Sequence, residues 1–290
     1  MGEFDVSKFV EKIFSPFLNR GEHPMIFTEY PFWIFFLVVL AGYSLFHKRL
    51  RVRSLFLFLV SIYFYYKTSG FFFSILLFST ILDFVIGERI YRNLDGIKAT
   101  LWLAVSITVN LTLLVYFKYA YFFADSFNAI FDSLWHPINH FALATNKVVG
   151  STFRVDQILL PIGISFYTFQ TMSYAIDIYR KKLKPVSHVI DFAFYVSFFP
   201  QLVAGPIVRH QSLYLKFTSH MKSQKRIWIG CFWILNGLLK KFLLADYIAV
   251  NFVDRVFDNP SMFSGLENLL ALYGYSLQVY ADFSGYTDML

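Results

Sequence analysis

The sequence predicts an all-α, polytopic integral membrane protein, and three of its features support that prediction. Of the 290 residues, 57% are hydrophobic and 16% are charged, whereas about a quarter of the residues in soluble domains are charged. The hydrophobic residues form a succession of long apolar runs, and cations stand at the ends of several runs. A water-soluble fold would have to expose large apolar patches, and a lipid environment removes that problem.

The first 24 residues precede the apolar runs and are predicted to form an amphipathic extension. Their apolar residues follow the spacing of one helix face and are Val6, Phe9, Val10, Ile13, Phe14, Phe17 and Leu18. Lys8, Glu11 and Lys12 lie on the other face, which is typical of a helix lying on a membrane surface. The alternative is that the chain proper starts at Met25.

Eight apolar runs follow one another along the chain. They cover residues 31–46, 55–66, 71–86, 100–117, 158–178, 191–204, 227–239 and 269–286. A helix needs about 20 residues to cross a bilayer, and several runs are shorter than that. We therefore expect multiple transmembrane helices, some of them short, broken or re-entrant.

Basic residues between the runs predict the orientation. Cations cluster at residues 48–53, 89–98 and 180–184, while the connection 118–157 has a balanced charge. Because cytoplasmic loops carry the excess of Lys and Arg, the three clusters are predicted to be cytoplasmic and the connection external. The net charge of +7 is explained in this way, and nucleic acid is not expected as a partner.

The run 191–204 does not fit a scheme in which each successive run crosses the membrane in the opposite direction. The loop after it, 206–226, is again basic, although an outward crossing would place that loop outside. Pro200 lies inside the run, and Gly205 and Pro206 follow it; proline interrupts helices. We expect a re-entrant or broken segment that returns to the cytoplasmic side, which is tolerated only where protein or a polar cavity surrounds it.

Several polar residues stand within the apolar runs. Gln170 either packs between helices or lines a cavity. Lys240 and Lys241 either reach a membrane interface or face an internal aqueous space. The last run contains Gln278, Asp282 and Ser284. Asp282 is either a functional intramembrane carboxylate or the cap of a helix end.

No familiar catalytic or metal-binding motif is found in the sequence. Cys231 is the single cysteine, which excludes an intrachain disulfide and a CxxC site. Nucleotide-binding GxGxxG and GxxxxGK patterns and the HExxH zinc pattern are missing, so neither a bound cofactor nor a metal is expected. His210 is the histidine nearest the suspected cavity, and it is either a base or a solvated loop residue.

Four segments nevertheless resemble successive blocks of one known family. They are LLPIGISFYTFQTMSYAIDIYR from Leu159, DFAFYVSFFPQLVAGPIVR from Asp191, NGLLKKFLLADYIA from Asn236 and YSLQVYADFSGYTDM from Tyr275. In order and spacing they resemble the membrane-bound O-acyltransferase (MBOAT) family, in particular its alginate O-acetyltransferase membrane-subunit branch. The resemblance covers residues 25–290, which we take as one MBOAT-like transmembrane domain.

The resemblance implies a function. Members of the family transfer acyl groups, often acetyl, to hydroxyls of an exported polysaccharide such as alginate. It implies a cytoplasmic thioester donor, acetyl-CoA or an acyl carrier, as co-substrate, and a multi-pass fold with a central tunnel in the bacterial cytoplasmic (inner) membrane. It also implies a periplasmic or extracellular acetyltransferase as partner, beside the lipid bilayer.

The catalytic histidine of the family lies in a block that this sequence does not reach before Leu290, so the resemblance assigns no catalytic residue here. On that ground we expect the front part of a longer enzyme, inactive alone. The candidate tunnel or donor-side residues are Gln170, Gln201, Arg209, His210, Gln278, Asp282 and Ser284. The alternatives to an acyltransferase are a transporter or flippase, and a non-catalytic partner that docks a periplasmic acetyltransferase.

Overall fold

A computed structural model describes residues 29–46, 48–149, 154–203 and 224–289. Within these ranges all regular structure is helical and no strand occurs, which confirms the predicted all-α class. The predicted extension 1–24, the loop 206–223, Arg209 and His210 lie outside the described residues.

Twelve α-helices are assigned in the described ranges. They are α1 Tyr30–Phe46, α2 Leu50–Ser69, α3 Phe73–Arg92, α4 Ile97–Leu114, α5 Ala120–Phe131, α6 His140–Val149, α7 Ile164–Tyr179, α8 Val189–Ser197, α9 Phe199–Val203, α10 Gln224–Leu239, α11 Asp254–Asp258 and α12 Gly265–Met289. Wider π-helical turns cover Val115–Tyr119, Lys240–Asp246 and Ala249–Val253.

Among the residues that the structure describes, three continuous helical stretches are long and apolar enough to cross a membrane. They are Leu50–Arg92, which turns at Gly70, Ile97–Phe131 and Trp228–Asp258; Tyr30–Phe46 is apolar but shorter. The second stretch corrects the expectation of an end near residue 117, because the helix passes through the π-helical turn into α5. The predicted run 158–178 becomes helical only at Ile164, after a turn in which Gly163 adopts a positive φ of 75°.

The described residues divide into two compact units, one up to Phe199 and one from Pro200 onward. In the first unit α7 packs against α3 and α4, and α8 packs against α2 and α3. Fully buried side chains fill the space between these helices, with the Tyr174 and Phe192 rings 4.4 Å apart. Most of α7 is therefore enclosed by its neighbours.

The three basic clusters of the first unit lie at one end of it. Arg51 at the start of α2 is 3.4 Å from the His188 ring, just before α8. Lys181, just after α7, forms a 2.5 Å ion pair with Asp95, in the turn that follows α3. These contacts agree with the expectation that the clusters share one side of the membrane.

The predicted broken segment is confirmed in the described residues. α8 ends at Ser197 and α9 begins at Phe199, with Phe198 between them at ψ 109°. Pro200 lies in the first turn of α9, where a missing N–H is tolerated. The Phe199 N–H donates to the Ser61 hydroxyl on α2 at 3.2 Å, so a side chain replaces the lost helical bond. The predicted return to the cytoplasmic side concerns residues outside those described.

The second unit is built on an antiparallel pair, α10 with its π-helical continuation against α12. A Ser264–Glu267 capping box starts α12: the Ser264 hydroxyl and N–H both donate to the Glu267 carboxylate at 2.7 Å. These bonds lower the pKa of Glu267. Farther along, Gly237 and Gly285 bring the two backbones into contact. A Cβ on Gly237 would lie 2.5 Å from the Gly285 carbonyl oxygen.

We predict that Gly237→Ala destabilises the second unit, because the added methyl group would displace the α12 backbone. Overpacking of this kind costs about 1–3 kcal/mol. Gly230→Ala is the matched control, since Gly230 is on the same helix and nothing lies within 4 Å of the position that its added methyl group would take. The measurement is the thermal midpoint of the detergent-solubilised protein. Equal midpoints for the two variants would contradict the tight contact.

Candidate functional site

A buried polar cluster lies inside the first unit, and we call it the Asp83 cluster. Its members are Ser79, Asp83, Ser106, Asn110 and Thr171, each with 0% of its surface exposed. The Ser106 hydroxyl donates to Asp83 Oδ1 at 2.5 Å, and Asn110 Nδ2 donates to Asp83 Oδ2 at 2.7 Å. Ser79 completes it by donating to Asn110 Oδ1 at 2.8 Å.

Helical spacing brings these side chains together. Ser79 and Asp83 are four residues apart on α3, as are Ser106 and Asn110 on α4, so each pair shares a face. Thr171 on α7 adds a third helix, with its hydroxyl 3.5 Å from Asn110 Oδ1. The cluster thus joins the three helices at the centre of the unit.

Hydrogen bonds reach both carboxylate oxygens of Asp83, and no Lys or Arg pairs with it among the described side chains. A carboxylate within an apolar helix is costly, and it marks either function or a specific packing arrangement. Since each of its oxygens accepts a hydrogen bond from a side chain of α4, Asp83 ties α3 to α4.

The sequence reasoning missed this cluster, although a signal was present. Asp83 stands within the apolar run 71–86 and Asn110 within the run 100–117. The argument that singled out Asp282, an acidic residue within a span, applies equally to Asp83.

The second polar cluster lies in the second unit, and we call it the lysine pair, after Lys240 and Lys241. Lys240 Nζ forms an ion pair with Asp288 at 2.6 Å and donates to the Ser284 hydroxyl at 2.9 Å. Asn236, one turn earlier on α10, also donates to Asp288, at 2.7 Å. This half of the cluster joins the end of α10 to the last turns of α12.

Lys241 forms the other half. Its ammonium lies 2.6 Å from Asp282 and 2.9 Å from Asp246, and 5.4 Å from the centre of the Tyr286 ring. Its side chain is only 15% exposed. Both lysines are thus held by carboxylates, and the two expected surroundings, a membrane interface or an internal aqueous space, stay predictions. The alternative of a helix cap for Asp282 is wrong, because α12 continues for two turns beyond it, to Met289.

The lysine pair lies in a π-helical turn, Lys240–Asp246. Turns of this kind recur at functional sites because they rotate the following side chains out of the α-helical pattern. Here consecutive lysines both reach α12, although neighbouring residues of an α-helix point about 100° apart. The π-helical turn therefore lets both ammonium groups form ion pairs with carboxylates of α12 inside an apolar helix pair.

The described candidate residues fall into separate places. Gln170 is 3% exposed, and its amide donates to the Tyr195 carbonyl at 2.9 Å, so it supports α8 just before the helix break. Gln201 is buried on α9. Asp282 and Ser284 meet at the lysine pair, and Gln278 lies one turn before Asp282 on the same face. Gln278 Oε1 is buried without a partner among the described residues. A tunnel or donor-side role for these residues stays a prediction.

No described group of three or more His, Cys, Asp or Glu side chains is arranged to hold a metal ion.

Comparison with models of known protein families gives no match. Curated proteins do match. The chain is 36% identical over 268 residues to a protein named probable alginate O-acetylase AlgI of Pseudomonas aeruginosa, across 91% of this chain and 48% of that protein. It is 34% identical to the Pseudomonas putida protein of the same name, across 91% of this chain and 51% of that protein.

A peptidoglycan O-acetyltransferase of Helicobacter pylori is 31% identical over 263 residues, across 81% of this chain and 46% of that protein. The chain belongs to the membrane-bound O-acyltransferase family. It spans about half the length of the curated relatives it matches. Both the Asp83 cluster and the lysine pair are therefore features of an MBOAT chain. The long apolar helices are consistent with a membrane protein, as expected for this family.

We predict that exchanging donor and acceptor inside the Asp83 cluster restores stability lost in the single variants. Asp83→Asn alone replaces one of the two acceptor oxygens by an NH2 group, so that one of the donors Ser106 and Asn110 loses its acceptor. Asn110→Asp alone places two carboxylates opposite each other. We expect a loss of about 1–3 kcal/mol for the first variant and about 2–4 kcal/mol for the second. The double variant again pairs one amide with one carboxylate, and the coupling energy is about 1–3 kcal/mol in its favour. Unfolding of the purified protein in denaturant and mild detergent measures all three.

Thr80→Val is the control for this cycle. Thr80 is buried on the same helix but donates only to the Leu76 carbonyl of its own helix. We expect a small change for this variant. Strictly additive losses in the double variant would show that Asp83 and Asn110 do not act as a pair.

We predict unequal effects within the lysine pair. Lys241→Met leaves the carboxylates of Asp246 and Asp282 facing each other without a cation, and the cost is about 2 kcal/mol for this half-buried site. Asp282→Asn leaves Lys241 still paired with Asp246, so its effect is smaller. The thermal midpoints of the two variants check this order, with the exposed Lys98→Met as the control. The reverse order would contradict the assigned pairing.

Proposed function

We propose that this chain forms part of a membrane-embedded O-acyltransferase, which transfers an acyl group, namely acetyl, from a cytoplasmic thioester to hydroxyls of an exported polysaccharide. The observation that carries the proposal is that 91% of the chain can be aligned with proteins named probable alginate O-acetylase, at 34% and 36% identity. A teichoic acid D-alanyltransferase of Bacillus subtilis, 29% identical over 138 residues, supports O-acyl transfer as the shared chemistry.

The proposed reaction exchanges a thioester for an oxygen ester. The acyl carbon–sulfur bond of the donor, acetyl-CoA or an acyl carrier, breaks as a carbon–oxygen bond forms, and the hydroxyl proton passes to the leaving thiolate. A base with a pKa near neutrality is needed for that proton. The Asp83 cluster is not assigned this role, because Asp83 is fully buried and its oxygens already accept hydrogen bonds from Ser106 and Asn110. We assign the cluster to the wall that holds the helices in place.

The lysine pair is the better candidate for the donor side. It combines two ammonium groups and three carboxylates within an apolar helix pair, and Gln278 lies one turn before Asp282 on α12. We propose that Gln278, Asp282 and Ser284 of the second unit contact the thioester region. Gln170 of the first unit and Gln201 of the second are each kept as a candidate tunnel residue of its own unit. Arg209 would bind a donor phosphate, for which its guanidinium is suited, and His210 would lie beside it.

The proposed setting is the cytoplasmic membrane of a bacterium, crossed several times. The common end of the first unit, with Arg51, Lys181 and their neighbours, would face the cytoplasm according to the distribution of basic residues. The acceptor hydroxyls would then lie on the opposite side. A periplasmic acetyltransferase would act on the polysaccharide there as the partner of this chain.

We predict that deleting the gene for this chain removes alkali-labile acetate from one exported polysaccharide of the host. Each polysaccharide fraction is isolated, and the acetate released by mild alkali is measured before and after complementation with the intact gene. Inverted membrane vesicles supplied with labelled acetyl-CoA provide the second measurement, since they expose the cytoplasmic face.

Two results separate this proposal from a transporter. Covalent, alkali-labile label on glycan, dependent on the gene, supports acyl transfer. Label that accumulates as a free solute inside the vesicles would instead indicate a transporter. Unchanged ester content in all fractions of the deletion strain would contradict the proposal.

A further inference from the structure

An apolar groove runs along the surface of the first unit between α1 and α2. Its volume is about 540 Å³, and its walls include Val38 and Val39 of α1 and Leu59 and Val60 of α2, with Tyr63 at one end. Val38 and Leu59 are 64% and 57% exposed, so the groove is open toward the surrounding lipid.

Packing beside the groove gives it a fixed shape. The Phe56 ring lies against Gly42, so closely that a methyl group there would be 2.4 Å from its Cζ atom. The Phe35 and Phe64 rings stack 5.8 Å apart. The two helices are thus held together on both sides of the groove, and it is a persistent feature of the surface.

Four cations lie within six residues at one end of this helix pair: Lys48, Arg49, Arg51 and Arg53. Arg53 is buried with its guanidinium 5.7 Å from the Tyr43 ring centre, which fixes the junction of the two helices. Lys48 and Arg49 are exposed, and neither is paired with a carboxylate in the part of the chain that the structure describes.

The distance between the cations and the groove matches one lipid. Phe56 and Tyr63 are seven and fourteen residues beyond Arg49, which corresponds to roughly 10 and 21 Å along α2. One leaflet of hydrocarbon is about 15 Å thick. A tail whose phosphate lies level with Arg49 would therefore pass over Phe56 and lie in the groove.

We propose that this groove binds one anionic glycerophospholipid, with its phosphate at Lys48 and Arg49 and one acyl tail along Val38 and Leu59. The apolar side chains that line the groove favour a hydrocarbon chain. The exposed side chains of Lys48 and Arg49 favour a negatively charged headgroup over a zwitterionic one. The groove is lined by residues of α1 and α2, none of which belongs to the Asp83 cluster or to the lysine pair, and the proposal does not depend on acyl transfer.

The test measures lipid binding to the detergent-purified chain by native mass spectrometry. Phosphatidylglycerol and phosphatidylcholine with identical tails are titrated, with lysophosphatidylglycerol and glycerol phosphate as competitors. We expect the anionic lipid to bind more tightly. Lys48→Gln and Arg49→Gln each lower its affinity about fivefold and leave that of phosphatidylcholine unchanged. Lysophosphatidylglycerol competes, whereas glycerol phosphate, which has no tail, does not.

A groove variant and matched controls complete the design. Val38→Trp fills the groove from an exposed position and lowers the affinity for both lipids, whereas Leu101→Trp, at an exposed position of α4, does not. Lys98→Gln together with Arg180→Gln removes two cations elsewhere and leaves binding unchanged. Circular dichroism verifies folding. Equal affinity of the wild type for the two lipids, displacement by glycerol phosphate, or equal effects of the two tryptophan variants would overturn the proposal.

Discussion

The structure depends on one constraint: a polar group within an apolar helix must find its partner inside the protein, since hydrocarbon offers none. The two units meet this constraint in different ways. The first unit uses neutral donors around a single carboxylate, with Ser106 and Asn110 bonded to Asp83. The second unit uses opposite charges, with Lys240 and Lys241 paired to carboxylates of α12. The same constraint explains the broken segment, where Ser61 accepts the Phe199 N–H that the helix leaves unpaired.

Composition and local patterns were enough to predict the helical class, most of the helices and the break near Pro200. These features follow from hydrophobicity and from the missing N–H of proline, which are properties of single residues and short stretches. The sequence also drew attention to Asp282 and to Lys240 and Lys241. It did not show that they meet, because their contacts join positions about forty residues apart, and only the packing of α10 on α12 brings them together.

The errors have physical causes of the same kind. Asp282 was open to a cap interpretation because Ser284 and Gly285 follow it, yet packing of Gly285 against Gly237 keeps α12 helical there. Helix α5 was not predicted because its polar residues interrupt the apolar run that precedes it. In the structure the chain stays helical through the π-helical turn Val115–Tyr119 and continues into α5. Asp83 was overlooked because a single polar residue scarcely changes the appearance of an apolar run. The cost of burying it, rather than its frequency, is what should have drawn attention to it.

The contrast between the clusters bears on where chemistry can occur. Asp83 is fully buried and both of its oxygens accept hydrogen bonds from α4, so it is fixed in place inside the helix pair. The lysine pair is different, since Lys241 is shared between Asp246 and Asp282. One turn before Asp282, the Gln278 amide oxygen has no partner in the described chain. When a polar ligand binds, the Lys241 ammonium can keep its ion pair with one carboxylate and release the other. The free amide oxygen of Gln278 can accept a hydrogen bond from such a ligand. The proposed substrate contacts in the second unit are therefore assigned to the π-helical turn and to the α12 residues facing it, whereas the Asp83 cluster joins the helices of the first unit.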